Sequence, residues 1–131
     1  MPVRSWNSSV LRWPDAATVD RAVRRWAEAV ALSRKEVRCI GYFGSYARGD
    51  WGVGSDLDVI VVVEHSDRPF EQRGAEWDTT SLPVPADLLV YTVEEWQALN
   101  RHRRFPQTLS REAVWVVGEG LPKNLRHGER P

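Results

Sequence analysis

The chain has 131 residues, 18 Lys and Arg against 18 Asp and Glu, and 42% apolar residues. That length suits a single domain, able to bury roughly two-thirds of its unfolded surface without help from disulfides or a structural metal. Zero formal charge argues against bulk electrostatic capture of nucleic acid, which needs a net basic face.

In chain order, residues 1–14 read as an irregular N-terminal segment carrying Trp6 and Trp13. Asp15 reads as the N-cap of an amphipathic helix of about five turns. Val19, Ala22, Val23, Trp26, Ala27, Val30 and Ala31 recur on one face of it, with Arg21, Arg24, Arg25 and Glu28 on the solvated side. Val37–Phe43 reads as a strand that stops at Gly44-Ser45. A stretch punctuated by Gly44, Gly49, Gly52 and Gly54 leads to a second strand, Asp56–Val63. That strand is apolar on both faces beyond its start, the pattern of a central strand with both sides covered.

Pro69–Trp77 reads as a short helix and Val84–Thr92 as a third strand. Thr92 and Glu95 have the spacing of a capping box, opening a helix that ends near Asn100. Arg101, His102, Arg103 and Arg104 form a basic knot at its C-terminal end, where cations suit the helix dipole. Ala113–Val117 reads as a last strand, and residues 119–131 as a flexible tail, so the domain spans residues 15–118.

Cys39 is the single cysteine, which excludes an intramolecular disulfide, and no Cys/His spacing resembles a zinc site. The apolar run Val59–Val63 is far short of the roughly 20 residues of a membrane span. Met1–Trp13 lacks the basic start and apolar run of a signal peptide. The expectation is a cytoplasmic protein with no membrane contact.

Three carboxylates stand where apolar strands rarely carry them. Asp56 and Asp58 are two apart at a strand start, so both side chains take one face. Asp87 lies in the third strand and joins them if the second and third strands pair. Two carboxylates about 4 Å apart repel by roughly 4 kcal/mol at an effective dielectric near 20. Between Arg48 and Arg68 there is no Lys or Arg to offset this. A hard divalent cation with oxygen ligands answers the need, and Mg²⁺ suits a few carboxylates plus substrate phosphates. Upstream, the junction of Phe43-Gly44-Ser45 with Tyr46-Ala47-Arg48 offers backbone N–H groups and a hydroxyl to an anion. Together the halves suggest a triphosphate-plus-metal site.

Gly44-Ser45, ten residues Tyr46–Ser55, then Asp56-Leu57-Asp58 resembles the signature of the polymerase-β-like nucleotidyltransferase superfamily. The runs Gly-Ser-Tyr-Ala-Arg-Gly and Ser-Asp-Leu-Asp-Val-Ile-Val are similar to its minimal members, many of them antitoxins paired with a HEPN-type toxin. The resemblance covers about residues 15–117. It implies an α/β (α+β) fold: a single-domain mixed β-sheet with helices mainly on one face. It implies Asp56 and Asp58 as ligands of two Mg²⁺ ions, with Asp87 ligating the catalytic metal and helping to activate the acceptor hydroxyl. Gly44, Ser45, Arg48 and Ser55 would form the nucleotide and phosphate contacts. The implied reaction is in-line attack on the α-phosphate of a nucleoside triphosphate, ATP in the antitoxin branch, where a toxin tyrosine is the acceptor.

The stretch beyond Asp87 is too short for the helical domain of larger members. The acceptor side is therefore expected from a partner, a co-encoded helical HEPN-type protein or a second copy. A non-catalytic subunit that caps a partner with the same fold is the alternative, set against the presence of all three carboxylates. Sugar-nucleotide glycosyltransferases also use Asp-x-Asp, but there the apolar strand runs into the motif rather than out of it. Nucleic-acid binding has only Arg101–Arg104 and Arg111 behind it. Of the seven Trp, Trp26, Trp96 and Trp115 lie on expected elements and read as core or near-core. Trp6, Trp13 and Trp51 lie in irregular segments and are candidates for a partner's footprint. Trp51 either stacks on a base or folds onto its own domain, the commoner outcome.

Overall fold

The computed structural model describes residues 13–101 and 112–118. Trp6, the knot His102–Arg104, Arg111 and the 119–131 tail lie outside the described residues.

Helix α1 spans Ala16–Ser33, and the Asp15 side chain accepts from Thr18 N at 2.9 Å, the N-cap read from sequence. Its buried stripe is Val19, Val23, Trp26 and Ala27. Arg34 ends it by turning extended. Strand β1 is Val37–Phe43, followed by the single-turn helix α2, Ser45–Arg48. Strand β2 is Leu57–Val63. It begins one residue after Asp56, because the ladder starts where Leu57 N donates to Pro85 O at 2.8 Å. Strand β3 is Ala86–Thr92, two residues shorter than read, since Pro85 has no N–H to give a ladder.

The expected helix Pro69–Trp77 divides into α3, Phe70–Arg73, and a 3₁₀ turn, Gly74–Glu76. Gly74 passes close to β3, where a Cβ would lie 3.1 Å from Leu88 O. Arg73 is buried and ends the α turn. Its guanidinium bonds Arg68 O, Val90 O and both oxygens of Glu95. Helix α4, Val93–Arg101, starts at the expected capping box: Glu95 N donates to Thr92 Oγ1, and Thr92 N donates to Glu95 Oε1. Strand β4 is Val114–Val117.

The sheet order is β3-β2-β1-β4. β1 pairs antiparallel with β2 and β4, while β2 and β3 run parallel. This is the mixed single-domain sheet implied by the motif. α1 and α2 pack on one face, where Val19, Val23, Trp26 and Tyr46 meet Ile40, Leu57, Val59, Val61 and Val90. The shorter α4 closes the other face, where Trp96 meets Cys39, Ile60 and Val62. β2 is thus covered on both sides, and Val59–Val62 are fully buried.

On the α4 face the rings of Phe70, Tyr91, Trp96 and Trp115 contact one another in series. Gly41 makes room for this layer: a Cβ there would lie 2.6 Å from the Trp115 ring. Trp13 and Trp51 pack against the α1-side core rather than standing free. For Trp51 this is the commoner outcome read from its sequence, while Trp13 docks onto core residues distant in sequence.

Trp96→Ala is expected to lower unfolding free energy by about 3–5 kcal/mol, since Trp96 has no exposed surface. Leu32→Ala, at a side chain 77% exposed, is expected to stay within about 0.5 kcal/mol. Urea denaturation measures both.

Candidate active site

The parallel register places Asp58 opposite Asp87. Side chains alternate along a strand. Asp58 therefore shares a face with Ile60 and Val62, and Asp87 with Tyr91, all on the α4 side. Asp56, two residues before Asp58, is exposed just outside the ladder. Asp58 is partly buried and Asp87 exposed. The three carboxylates read from sequence thus gather at the start of β2 and β3.

Their mutual repulsion is visible in Asp58. Burial, then the charges of Asp87 and Asp56, push its carboxyl above the usual range, and Arg48 draws it partly back. Among the described residues, no group of three or more His, Cys, Asp or Glu side chains stands preassembled to hold a metal ion. The donor set nonetheless suits a hard cation: oxygen ligands alone, on a carboxylate whose ionised form suffers from burial and like charge.

Gly44 joins this cluster to the loop after β1. Phe43 pairs with Asp58, and Gly44 follows with φ +86°. A Cβ at Gly44 would lie 2.5 Å from Asp58 Oδ2. The carboxylate thus sits directly against the glycine backbone, and only Gly takes that conformation cheaply. Gly44 O accepts from the N–H groups of Ala47 and Arg48, closing α2. Ser45 heads α2 and is partly exposed.

Arg48 reaches across the loop. Its Nε donates to Asp50 Oδ2 at 3.1 Å and its Nη1 to Glu112 Oε2 at 3.3 Å. The Ser55 hydroxyl accepts from Gly52 N at 2.8 Å, and Ser55 N donates to Gly52 O at 3.0 Å, closing the loop's last turn. Trp51 stacks on Tyr46 with planes 9° apart and centroids at 5.6 Å. One face of the indole is therefore taken by its own domain.

Glu112 is the residue that sequence reasoning missed. Its Oε2 accepts from Gly44 N at 3.1 Å as well as from Arg48. It lies two residues before Val114, which pairs with Tyr42. Continuing that antiparallel register brings Glu112 beside Gly44. No motif marks it; only the β1–β4 pairing reveals it.

The sequence model of the nucleotidyltransferase domain family matches residues 24–115. No curated protein matches the chain. Among solved structures, the chain is similar to a protein from Sulfolobus solfataricus described as a putative nucleotidyltransferase. The TM-score is 0.54 at 20% identity, over 76% of this chain and 80% of that one. A structure described as a toxin-antitoxin with AMP-PNP aligns with TM-score 0.45 at 14% identity, over 78% of each chain.

Two outcomes follow from this geometry. A carboxylate with a raised folded-state pKa binds its proton more tightly when folded, so its ionisation destabilises the fold as pH rises through that range. Asp58→Asn is therefore expected to raise the melting temperature at pH 7. The gain should shrink as pH falls through the carboxylate range, as thermal melts from pH 3 to 8 will test. Gly44→Ala is expected to lower stability by about 1–3 kcal/mol, through positive φ and the displaced Asp58 carboxylate; chemical denaturation reads it.

Proposed function

The chain belongs to the nucleotidyltransferase domain family, and from that premise we propose that it transfers AMP from ATP to a hydroxyl acceptor, a tyrosine of a HEPN-type partner, and so acts as an antitoxin in the cytoplasm. The observation that carries the transferase reading is the Asp58–Asp87 register, with Asp56 beside it and the Gly44 backbone against Asp58. Burial and like charge disfavour ionised Asp58 at that junction, and phosphoryl chemistry gives the group a use. The acceptor and partner rest on the resemblance of Gly44–Gly49 and Ser55–Val61 to minimal antitoxin members.

Asp56 and Asp58 would hold two Mg²⁺ ions, and Asp87 would join them at one of these. When bound, the metal offsets negative charge on the transferred phosphate and the leaving group. Gly44 and Ser45 would position the β- and γ-phosphates through backbone N–H groups and the Ser45 hydroxyl, with Arg48 as a further cationic contact. Ser55 holds the loop closed from Gly52 and would contribute at the nucleotide's edge. Asp87 would take the proton of the acceptor hydroxyl. The acceptor oxygen then bonds to the α-phosphorus, the bond from that phosphorus to the bridging oxygen breaks, and pyrophosphate leaves with the bridging oxygen. The exposed side of Asp87 leaves room for the acceptor from a partner or a second copy. Among the described residues no helix is long and apolar enough to cross a membrane.

With ATP labelled at the α-phosphate, Mg²⁺ and the co-encoded neighbour, the wild type is expected to label the partner, while γ-labelled ATP leaves it unlabelled. Asp56→Asn with Asp58→Asn should reduce transfer on the order of a hundredfold or more with an unchanged circular dichroism spectrum. A wild-type protein that labels nothing would leave the non-catalytic cap as the better reading.

A further inference from the structure

We propose that Glu112 is a built-in competitor for the nucleotide's phosphates, an anionic latch seated on Gly44 and Arg48 that must leave before a polyphosphate can bind. The proposal rests on the phosphate role inferred above for Gly44, Ser45 and Arg48.

One carboxylate oxygen, Glu112 Oε2, takes both the Gly44 N–H, at 3.1 Å, and Arg48 Nη1, at 3.3 Å. Those donors belong to the set assigned to the phosphates. A carboxylate oxygen and a phosphate oxygen are the same kind of partner, anionic acceptors for charge-assisted hydrogen bonds. A backbone N–H aimed at one of them is not available to the other. The contact is also not a surface accident, because the pairing of Tyr42 with Val114 brings Glu112 to Gly44.

Charge sharpens the competition. A polyphosphate entering beside Asp56, Asp58 and Asp87 already meets three carboxylates. With Glu112 in place it would meet a fourth, lying on the guanidinium it needs. Arg48 is further engaged by Asp50 at 3.1 Å, so Glu112 and Asp50 together occupy a cation that acts on Asp58. Entry of a polyphosphate then requires the Glu112 carboxylate to swing aside. Its side chain is 23% exposed, and several rotatable bonds separate its carboxylate from the backbone. The latch therefore sets nucleotide affinity below what the donors would otherwise support.

Calorimetric titration of magnesium ATP, and separately of inorganic triphosphate, into wild type, Glu112→Gln and Glu112→Ala tests this. Both variants are expected to bind roughly ten- to a hundredfold more tightly, the span that a charge-assisted hydrogen bond is worth. Glu28→Gln, which removes one acidic charge from the exposed side of α1, should bind as wild type does. Glu112→Gln keeps the shape of the side chain and decides the matter should Glu112→Ala unfold. Unchanged or weaker binding in the Glu112 variants, with wild-type binding intact, overturns the latch and leaves the nucleotide reading standing. If wild type and variants bind neither ligand, the phosphate reading falls and the latch with it.

Discussion

The parallel ladder between β2 and β3 runs from Leu57↔Ala86 to Val63↔Thr92 with no slip, and the position of every strand carboxylate follows from it. A one-residue shift would turn Asp87 to the α1 side, into the layer of Leu57, Val59 and Val61. The register is held because β2 is packed from both faces. Val61 and Leu57 serve the α1-side core, while Ile60 and Val62 serve the Trp96 layer. Sliding the strand would exchange these sets and bury a carboxylate in an apolar core.

That rigidity lets the fold carry an unfavourable group at its edge. Asp58 is disfavoured in its ionised form by burial and by its two acidic neighbours. The stretch of β2 just beyond it, Val59–Val62, is fully buried. The apolar part of the strand anchors the acidic part, the trade expected where chemistry is placed at the end of a core strand. Among the described residues Arg48 is the cation that eases Asp58, yet Asp50 and Glu112 share it. Opposite charges around Gly44 are thus divided among four segments: α2, the 49–55 loop, the β2 start and the approach to β4.

Much of the fold was legible from local patterns. Asp15 caps α1, the Thr92–Glu95 capping box opens α4, and the doubly apolar run after Asp58 is the central strand. These signals are local because each is a bond or a periodicity within a few residues. Pro69–Trp77 was less legible. Its break into α3 and a 3₁₀ turn is set by the close passage of Gly74 against Leu88 and by Arg73 reaching Glu95. Trp13 was as little legible, whereas Trp51 takes the commoner of its two expected outcomes and folds onto its own domain. Both sit in irregular backbone, yet both pack on the core, Trp51 by stacking on Tyr46.

The amino-acid sequence by itself determined the acidic motif, the glycine before it and the strands that carry them. Residue type and two-residue spacing are enough to put Asp56 and Asp58 on one face. Only the tertiary structure decided that Asp87 lies across from Asp58, that Asp58 presses against the Gly44 backbone, and that Glu112 occupies the Gly44 N–H. Each of these contacts depends on strand order and register. Those are settled by burying whole apolar faces together, a free energy summed over many distant residues that no short stretch of sequence records.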